Sequence, residues 1–422
     1  MSPRLRHPVA ALVLSLVALL VGGRPAAAQT VRTDLFVTNG QVNAQALRDG
    51  VLYVGGSFSR VGALTGAGLP VDSTTGLPDP GFPRVTGVVL CAASDGASGW
   101  YIGGQFTDVG GVARANLAHV RGDHSLDAWN PGTNGAVRTM VLSGGELFVG
   151  GDFTTLGATA RNRVGSVDTT TGAVSAWNPN ANSTVRDLEL NAGSMLVAGQ
   201  FTVIGGQTRN RIAQVDLGAG AAHPTWNPNA NSPVLAMKVC GGTLYVGGQF
   251  TSIGGQTRNR IAALTLATGV PTAWNPNANS NVNAVTAADG VVYAGGQFSV
   301  IGGVTRLRIA ALDSVTAVPT AWNPAASGIV QTMHLSGASL YAGGDFLSIG
   351  GQSRSRVAEL GVASGLATAW NPSAFSTVNV IELDSPEVFL GGAFTAVGGT
   401  TRNNLAAFDV STGAATSWNP DA

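Results

Sequence analysis

The stretch GGQFTSIGGQTRNRIA, residues 247–262, occurs almost letter for letter 49 residues earlier as AGQFTVIGGQTRNRIA, residues 198–213. Its phenylalanine marks eight copies of one unit, spaced 47 to 49 residues apart, at Phe58, Phe106, Phe153, Phe201, Phe250, Phe298, Phe346 and Phe394. Self-similarity at a fixed period of this length is typical of repeat architectures, in which each copy builds one structural unit. The fold therefore depends on what a single copy builds.

Copy 5 contains four short segments with the pattern of β-strands. They are VLAMKV, TLYVGGQF, RIAALTL and PTAWNP, at residues 234–239, 243–250, 260–266 and 271–276. The first three are rich in β-branched and aromatic residues, and Gly-Gly, Gly-Gly-Gln-Thr and Thr-Gly separate them as turn residues. No segment has a helical period of adequate length. We therefore predict a small antiparallel sheet of four strands for each copy.

A sheet of this size cannot bury both of its faces alone, so each copy needs a neighbour on either side. A closed ring gives every copy two neighbours, and a four-stranded repeat of this length is typical of a β-propeller. The sequence thus predicts an all-β, eight-bladed propeller over residues 42–422. Residues 29–41 form a separate N-terminal segment, which could supply a strand that pairs with the last blade and closes the ring.

A Trp-Asn-Pro element follows the phenylalanine by 23 to 25 residues in seven of the eight copies. Large aromatic side chains dominate the packing of cores, so we interpret each indole as a wedge between adjacent blades rather than as part of a sugar-stacking ring. Phe82 takes this place in copy 1. The tryptophans are Trp129, Trp177, Trp226, Trp274, Trp322, Trp370 and Trp418.

Residues 1–28 have the features of a secretory signal peptide. Arg4 and Arg6 precede an apolar run at residues 9–21, and three consecutive alanines end at Ala28. The apolar run is shorter than the roughly 20 residues that a membrane-spanning helix needs, and no later run resembles a span. We therefore expect cleavage near Ala28 and a mature chain without a membrane span that is secreted, periplasmic or on the cell surface.

The composition limits the possible partners. The chain has 59 glycines, 11% charged residues and a formal net charge of zero, so no basic surface favours nucleic acid. Cys91 and Cys240 are the two cysteines, too few for a disulfide-rich scaffold. They fall three copies apart on the predicted ring, so we expect no bond between them. We expect a monomer whose partners are glycans or envelope proteins.

The residues YVGGQF, IGGQTRNRIA, a strand ending in Asp before Thr-Gly, and AWNP together resemble the bacterial delta-sixty repeat propellers. The same pattern is similar to the propeller of the fungal cortical polarity-marker family. The resemblance covers essentially the whole mature chain. It implies exported, surface-associated propellers of largely unassigned function, and it carries over no catalytic residue and no cofactor.

A more distant likeness concerns the quinoprotein propellers. AFDVSTGAATSW, residues 407–418, resembles their tryptophan-docking motif, with the tryptophan one residue later. The quinone-binding enzymes also use adjacent cysteines and calcium-ligating carboxylates, whereas Cys91 and Cys240 are 149 residues apart. This likeness therefore implies a shared way of packing blades and argues against a redox function.

Two sets of residues are candidates for ligand binding. An arginine recurs after the Gly-Gly-x-Thr loop, and Arg209, Arg258 and Arg306 could bind an acidic glycan through their guanidinium groups. The alternative that we rank first is that these arginines hold the loop through backbone carbonyls. Trp100 ends an insertion in copy 2, residues 94–100, and is the single tryptophan outside the repeat. It is the best candidate for an exposed aromatic that contacts a glycan or protein, although it could instead cap its own blade.

Other polar residues have plainer interpretations. The aspartates that end the third strands, Asp168, Asp216, Asp313 and Asp409, are expected to accept backbone N–H groups of the next turn rather than to bind calcium. The residue before the repeat phenylalanine is polar in seven copies and could line one face of the disc or bond a strand end. The histidines lack zinc-site spacing, and we predict no metal.

The pattern as a whole favours a non-enzymatic binding or structural module at the cell envelope or outside the cell. One alternative is a carbohydrate-binding, lectin-like propeller. Another is a secreted hydrolase or oxidoreductase whose active site is assembled from loops on one face. An enzyme should show one copy whose loops break the pattern with clustered acids or histidines, and copy 2 alone breaks it, with Asp95 as its single added acid.

Overall fold

The structure, a computed structural model, describes residues 36–48, 51–401, 405–409 and 416–417. The predicted signal peptide, Arg402 and Trp418 lie outside these residues. Every regular element that is described is a β-strand, and every pairing is antiparallel, so the all-β prediction is confirmed. The described part of the chain holds no helix long and apolar enough to cross a membrane.

Each copy supplies three main strands, which we call its first, second and third strand. The first strands are Gln41–Arg48, Val85–Ser94, Val137–Ser143, Val185–Asn191, Val234–Cys240, Val282–Ala288, Val330–Ser336 and Val378–Asp384. The second strands are Val51–Ser57, Trp100–Val109, Glu146–Gly151, Ser194–Gly199, Thr243–Gly248, Val291–Gly296, Ser339–Gly344 and Glu387–Gly392. The third strands are Gly68–Asp72, Leu117–Val120, Val164–Asp168, Ile212–Asp216, Ile261–Thr265, Ile309–Asp313, Val357–Gly361 and Leu405–Asp409. They form eight sheets, each with one strand of each kind.

The fourth predicted strand of a copy is much reduced. In copy 5 it contributes one bridge, between Leu264 and Pro271. A proline has no N–H to donate, so Pro271 and Pro276 prevent this segment from extending the ladder. The element that the pattern did not predict is a short hairpin between the second and third strands.

In copy 5 the short hairpin pairs Ser252–Ile253 with Gln256–Thr257. Gly254 and Gly255 form its turn with φ of 59° and 72°, a conformation that favours glycine at both positions. Equivalent hairpins are Thr155–Leu156 with Thr159–Ala160, Val203–Ile204 with Gln207–Thr208, Val300–Ile301 with Val304–Thr305, and Ser348–Ile349 with Gln352–Ser353. In copy 2, Val112–Ala113 pairs with the end of the long second strand.

The first strands lie at the centre of a cycle of sheets. From copy 2 to copy 8, each first strand contacts the first strands of the copies before and after it, and that of copy 8 contacts that of copy 2. Seven sheets therefore follow one another in a closed cycle. The remaining sheet, Gln41–Arg48 with Val51–Ser57 and Leu405–Asp409, makes no comparable contact within the described part of the chain. The sequence predicted eight blades in one ring, whereas these contacts close through seven sheets.

The cycle closes because the two ends of the chain exchange third strands. Gly68–Asp72 of copy 1 pairs with Glu387–Gly392 of copy 8, with Asp72 opposite Glu387. The third strand of copy 8, Leu405–Asp409, pairs instead with Val51–Ser57 of copy 1. Copy 1 thus supplies the third strand of the copy 8 sheet, and copy 8 supplies the third strand of the copy 1 sheet.

The hydrogen bond of the Trp370 indole reflects the same exchange of third strands. The indole N–H groups of the other described repeat tryptophans donate to a carbonyl 39 or 40 residues later. Trp370 donates instead to Asp72 O, at 3.0 Å. Since Asp409 follows Trp370 by 39 residues, Asp72 occupies the position that a linear order of copies would give to Asp409.

The described part of the N-terminal segment does not supply the strand that closes the cycle. Of residues 29–41, the described Val37–Thr38 pairs with Arg60–Gly62, and Thr400–Thr401 pairs with the other side of Arg60–Gly62. These short strands accompany the sheet outside the cycle. The closing strand is Gly68–Asp72, which has the length of most other third strands and pairs with the same edge of a second strand.

The hydrophobic core is divided into layers between neighbouring sheets. One layer combines Tyr245, Ile261 and Trp274 of copy 5 with residues of copy 6 such as Val282. The paired glycines of the second strand allow this close approach. A Cβ on Gly247 would lie 2.7 Å from Val282 Cγ1, and the glycine that follows has equally little room beside its own first strand. The Gly-Gly of the repeat is thus required by packing.

Candidate functional site

The repeat tryptophans lie between neighbouring sheets. The six that the structure describes are at most 6% exposed: Trp129, Trp177, Trp226, Trp274, Trp322 and Trp370. Trp274 Nε1 donates to Asp313 O of the next sheet at 2.9 Å, and the ring of Tyr245 meets the indole edge-on at 5.2 Å. In copy 1, Phe82 packs against Phe389 with ring centroids 5.8 Å apart. Each of these rings fills a gap between sheets and leaves no face free for a ligand.

The candidate arginines Arg209, Arg258 and Arg306 bind the backbone of their own copy. Each Nη1 donates to the carbonyl of the preceding residue, and each Nη2 donates to a carbonyl 14 residues later, at 2.6 to 3.0 Å. Arg209 and Arg258 are 5% and 9% exposed. The structure shows the backbone-binding alternative, and these guanidinium groups have few N–H groups left for a ligand.

Trp100 is buried, in contrast to the exposed aromatic that its position after an insertion suggested. It is 1% exposed, packs on Phe389 at 5.0 Å and donates from Nε1 to Glu387 Oε2 at 3.3 Å. The reason is its register: Trp100 begins the second strand of copy 2 and pairs with Val120, as Leu147 pairs with Val167 in copy 3. Trp100 therefore occupies a core position, at the interface where the cycle closes.

Each first strand of the cycle carries a β-bulge that sets one residue apart. The register shift falls after the buried valine of the strand, for example between Val137 and Thr139. Such a bulge leaves the extra residue outside the ladder and re-aims its side chain. We call the bulged residues the inner ring: Leu90, Arg138, Arg186, Leu235, Asn283, Gln331 and Asn379.

Inner-ring residues of neighbouring copies reach one another. Asn283 Nδ2 donates to Gln331 Oε1 at 2.9 Å, and Asn379 Nδ2 donates to Val89 O of copy 2 at 3.5 Å. Since the first strands are the innermost strands of the cycle, these side chains lie nearest its centre. Five of the seven are polar, so the centre of the cycle offers hydrogen-bonding groups from several copies.

The polar residue before the repeat phenylalanine supports the inner ring in two copies. In copy 3, Arg138 Nε donates to Asp152 Oδ2 at 2.7 Å, and Thr184 of copy 4 donates to Asp152 Oδ1 at 2.7 Å. Burial acts to raise the pKa of Asp152, but hydrogen bonds from Arg138 and Thr184 lower it overall. In copy 7, Gln331 Nε2 donates to Asp345 Oδ2 at 3.2 Å. These aspartates fix the inner-ring side chains.

Arg186 lacks such support. Its own copy has Gln200 before the phenylalanine, where copy 3 has Asp152. Among the described residues, no side chain or carbonyl forms a hydrogen bond or ion pair with the Arg186 guanidinium, and Nε is buried. Burial lowers the pKa of Arg186, the charge of Arg138 lowers it further, and Asp152 partly offsets both. The centre of the cycle therefore holds one guanidinium without a partner.

Sequence reasoning missed the inner ring, although a signal was present. The residue after the valine that precedes the bulge changes in character from copy to copy, from Leu90 through Arg138 to Asn283. A polar residue inside an otherwise apolar strand suggests a bulge or an exposed edge. The pattern alone could not say that the edge faces the centre of a closed cycle.

His119 and Asp95 form a second polar cluster, in copy 2. His119 Nε2 lies 3.0 Å from Asp95 Oδ2, and Nδ1 lies 3.0 Å from Asp127 Oδ2. The imidazole, 8% exposed, stacks on Tyr101 at 4.2 Å. Both ring nitrogens face carboxylates, so the imidazole is held in place from both sides. The cluster holds the insertion against the third strand of copy 2.

No group of three or more His, Cys, Asp or Glu side chains in the described part of the chain is arranged to hold a metal ion. The turn aspartates bind backbone instead: Asp168 Oδ1 accepts from Thr170 N at 3.0 Å and from Thr171 N at 2.6 Å. Both cysteines are free. Burial raises the pKa of the Cys91 thiol, which keeps it in its unreactive protonated form.

Asp187, next to Arg186, is a buried acid that bridges two copies. Its carboxyl accepts from Leu188 N at 2.9 Å and from Met237 N of copy 5 at 2.6 Å. Burial and the negative charge of Glu189 raise the pKa of Asp187 to about 8, against the lowering effect of these two hydrogen bonds. Asp187 is therefore largely protonated and uncharged at neutral pH, and it does not neutralise Arg186.

The raised pKa of Asp187 predicts a pH-dependent stability. The folded state holds a proton that the unfolded chain releases near pH 4, so this contribution is complete below pH 4 and is lost as the pH rises toward 8. Asp187→Asn cannot ionise. We therefore expect the native chain to lose stability relative to Asp187→Asn as the pH rises from 5 to 8. The difference between their free energies of unfolding, measured by urea denaturation, should change by up to about 1 kcal/mol per pH unit.

Asp216→Asn is the matched control. Although burial acts to raise it, the pKa of Asp216 is lowered overall by backbone N–H groups of its turn. The contribution of Asp216 is therefore lost only at acidic pH, and the cost of Asp216→Asn should be constant between pH 5 and 8. A pH-independent difference between Asp187→Asn and the native chain would contradict the assignment.

Comparisons with known proteins agree with the fold. Residues 193–217, 242–265 and 287–314 match the family described as a domain of unknown function (DUF5122) beta-propeller. These segments run from the second to the third strand of copies 4, 5 and 6. No curated protein matches the chain.

Among solved structures, the chain is similar to the WD40 beta propeller domain of Doa1, with a TM-score of 0.55 and 12% identity over 80% of this chain and 95% of that one. It is also similar to the computationally designed Ika8 protein, with a TM-score of 0.49 and 12% identity over 87% of this chain and 96% of that one. At this identity the likeness to Doa1 shows a shared β-propeller fold and nothing about function.

Proposed function

We propose that this chain is an exported β-propeller that serves as a non-enzymatic binding module, with its ligand held at the inner ring. One observation carries the proposal: the inner-ring residues share one backbone position, yet their side chains differ from copy to copy. The polar groups of the loops, such as Arg258 and Asp168, are used in hydrogen bonds that recur in several copies. A constant scaffold with variable polar chemistry at one place is suited to ligand recognition.

Export and blade number belong to the same proposal. The charged start, apolar run and alanines of residues 1–28 support cleavage after Ala28, and the resemblance to the delta-sixty repeat propellers supports a place in the periplasm, at the surface or outside the cell. The cycle of contacts supports seven blades, with the sheet built on Val51–Ser57 standing outside them. Class averages from electron microscopy should show seven spokes and a protrusion, and eight equal spokes would overturn this count.

The binding proposal is tested on a glycan array, since a lectin-like module is its most specific form. Asn283→Leu combined with Gln331→Leu removes two hydrogen-bonding groups of the inner ring and keeps the side chains similar in size. We expect the native chain to bind at least one class of glycan. The double variant should bind it about tenfold or more weakly, because polar groups of the ligand would be buried without hydrogen-bond partners.

The matched control is Leu366→Asn, which changes a side chain of similar size that is 63% exposed in an outer turn. Its binding should equal that of the native chain. If the native chain binds no glycan on the array, the lectin-like form of the proposal is wrong, and a role as a protein scaffold is favoured. Binding that survives the double variant would place the ligand away from the inner ring.

A further inference from the structure

Arg186 presents an unusual balance of charge at the centre of the cycle. Arg138 and Asp152 form an ion pair, with Arg138 Nη2 2.6 Å from Asp152 Oδ2, so together they are close to neutral. The remaining oxygen of Asp152 accepts from Thr184. Neither oxygen of Asp152 forms a hydrogen bond or ion pair with Arg186, so the charge of Arg186 is only partly offset from a distance.

The other neighbours of Arg186 do not supply a negative charge. The next inner-ring residue is Leu235, the residue before the copy 4 phenylalanine is Gln200, and the carboxyl of Asp187 is turned to the backbone of copy 5. Glu189 is paired with Lys238 at 3.2 Å. Within the described residues, the guanidinium of Arg186 thus has no protein partner, its Nε is buried and its side chain is only partly exposed.

A partly buried guanidinium without a partner is costly, because desolvation is not offset by an ion pair or hydrogen bonds. An arginine presents a planar fork of N–H donors that matches the oxygens of carboxylate, phosphate and sulfate groups. Arg138 and Asp152 are nearly neutral as a pair, but at Arg186 the effect of the Arg138 charge is the larger of the two, so the potential there stays positive. A single negatively charged group bound at this place would therefore offset the charge of Arg186.

We propose that Arg186, assisted by Arg138, binds an oxyanion group at the inner ring. This inference rests on the proposed binding function and names the chemical class that the module recognises. The oxyanion is held by charge-assisted hydrogen bonds from Arg186, with Arg138 kept in place by Asp152. The group can be a free inorganic anion or the carboxylate of an acidic sugar, since both present the same oxygens to the fork.

The test is isothermal titration calorimetry of the full mature chain with inorganic phosphate, sulfate, glucuronate and, as a neutral sugar, glucose. We expect at least one of the three anions to bind, and Arg186→Gln to weaken that binding about tenfold or more. Tighter binding of phosphate or sulfate identifies an inorganic type of anion, and tighter binding of glucuronate identifies a sugar carboxylate. Arg121→Gln is the control, because it removes the same charge from a side chain that is 53% exposed beside the third strand of copy 2.

Three results would overturn the inference: no anion binds the native chain, Arg186→Gln binds as well as the native chain, or Arg121→Gln weakens binding as much as Arg186→Gln. If glucose binds as tightly as glucuronate and Asn283→Leu with Gln331→Leu abolishes both, the anion site is wrong while the proposed binding function stands. Circular dichroism of each variant shows that a loss of binding does not come from unfolding.

Discussion

Replacing Trp274 by alanine is expected to destabilise the chain by about 3 to 5 kcal/mol. The indole is 4% exposed and fills the layer between copies 5 and 6, where Tyr245 meets it edge-on. The substitution empties this volume and removes one of the two donors to Asp313 O, which keeps the N–H of Ala317, so a cavity term and a lost hydrogen bond add to the lost burial. Urea denaturation followed by fluorescence of the remaining tryptophans measures the change.

Two further variants separate the parts of this effect. Trp274→Phe keeps a ring in the gap and removes the N–H, so we expect an intermediate loss of about 1 to 3 kcal/mol. Val315→Ala, at a neighbouring turn where the side chain is 83% exposed, should change the stability by less than about 0.5 kcal/mol. A loss below about 1 kcal/mol for Trp274→Ala would show that the indole is not a wedge.

The sequence was sufficient to predict the three main strands of a single copy. The first strand of copy 5, predicted at residues 234–239, is Val234–Cys240, and the third, predicted at 260–266, is Ile261–Thr265. These predictions hold because strand formation and turn chemistry depend on neighbours in the chain. The same local logic predicted the turn at Asp168, whose carboxylate accepts two backbone N–H groups.

The arrangement of the copies could not be predicted in the same way. Each copy of a repeat protein contacts only its neighbours, so the pattern defines the interface between copies but not how many copies complete a turn. The third strands of copies 1 and 8, GLPVD and LAAFD, have equal length and both end in aspartate. Nothing in their pattern says which second strand each one joins.

The candidate site was hidden for a related reason. Trp100 ends an insertion, which suggested a loop, but its pairing with Val120 places it inside a strand. Arg186 lies in a strand that alternates polar and apolar residues, and its bulge becomes visible only in the register of Val185 and Asp187 against the second strand. Register against a partner strand is information that a single strand pattern does not contain.

Replacing Leu69 by aspartate is expected to open the cycle of sheets. Leu69 lies in the exchanged strand Gly68–Asp72, pairs with Leu390 and is 1% exposed. A carboxylate there would be buried without a partner, at a cost of about 3 kcal/mol or more, and it would weaken the strand that joins copy 8 to copy 1. We expect a large fall in the melting temperature and increased proteolysis.

The control is Leu47→Asp, in the first strand of copy 1. Leu47 is 62% exposed, because the sheet that contains it lies outside the cycle. We expect Leu47→Asp to melt within a degree or two of the native chain, since exposed substitutions change the stability by about 0.5 kcal/mol or less. In a ring of eight blades this strand would pack between two neighbours, and Leu47→Asp would then be clearly destabilising.

Cysteine cross-linking tests the exchange directly, in a chain whose Cys91 and Cys240 are replaced by serine. Asp72 and Glu387 are directly opposed in antiparallel strands, where Cα atoms are about 4.5 to 5.5 Å apart, within the range that a disulfide spans. We therefore expect Asp72→Cys with Glu387→Cys to form a disulfide on mild oxidation, and Glu387→Cys with Asp409→Cys to remain reduced. The reverse result would mean that each copy keeps its own third strand, and that the cycle takes in the sheet of copy 1 as an eighth blade.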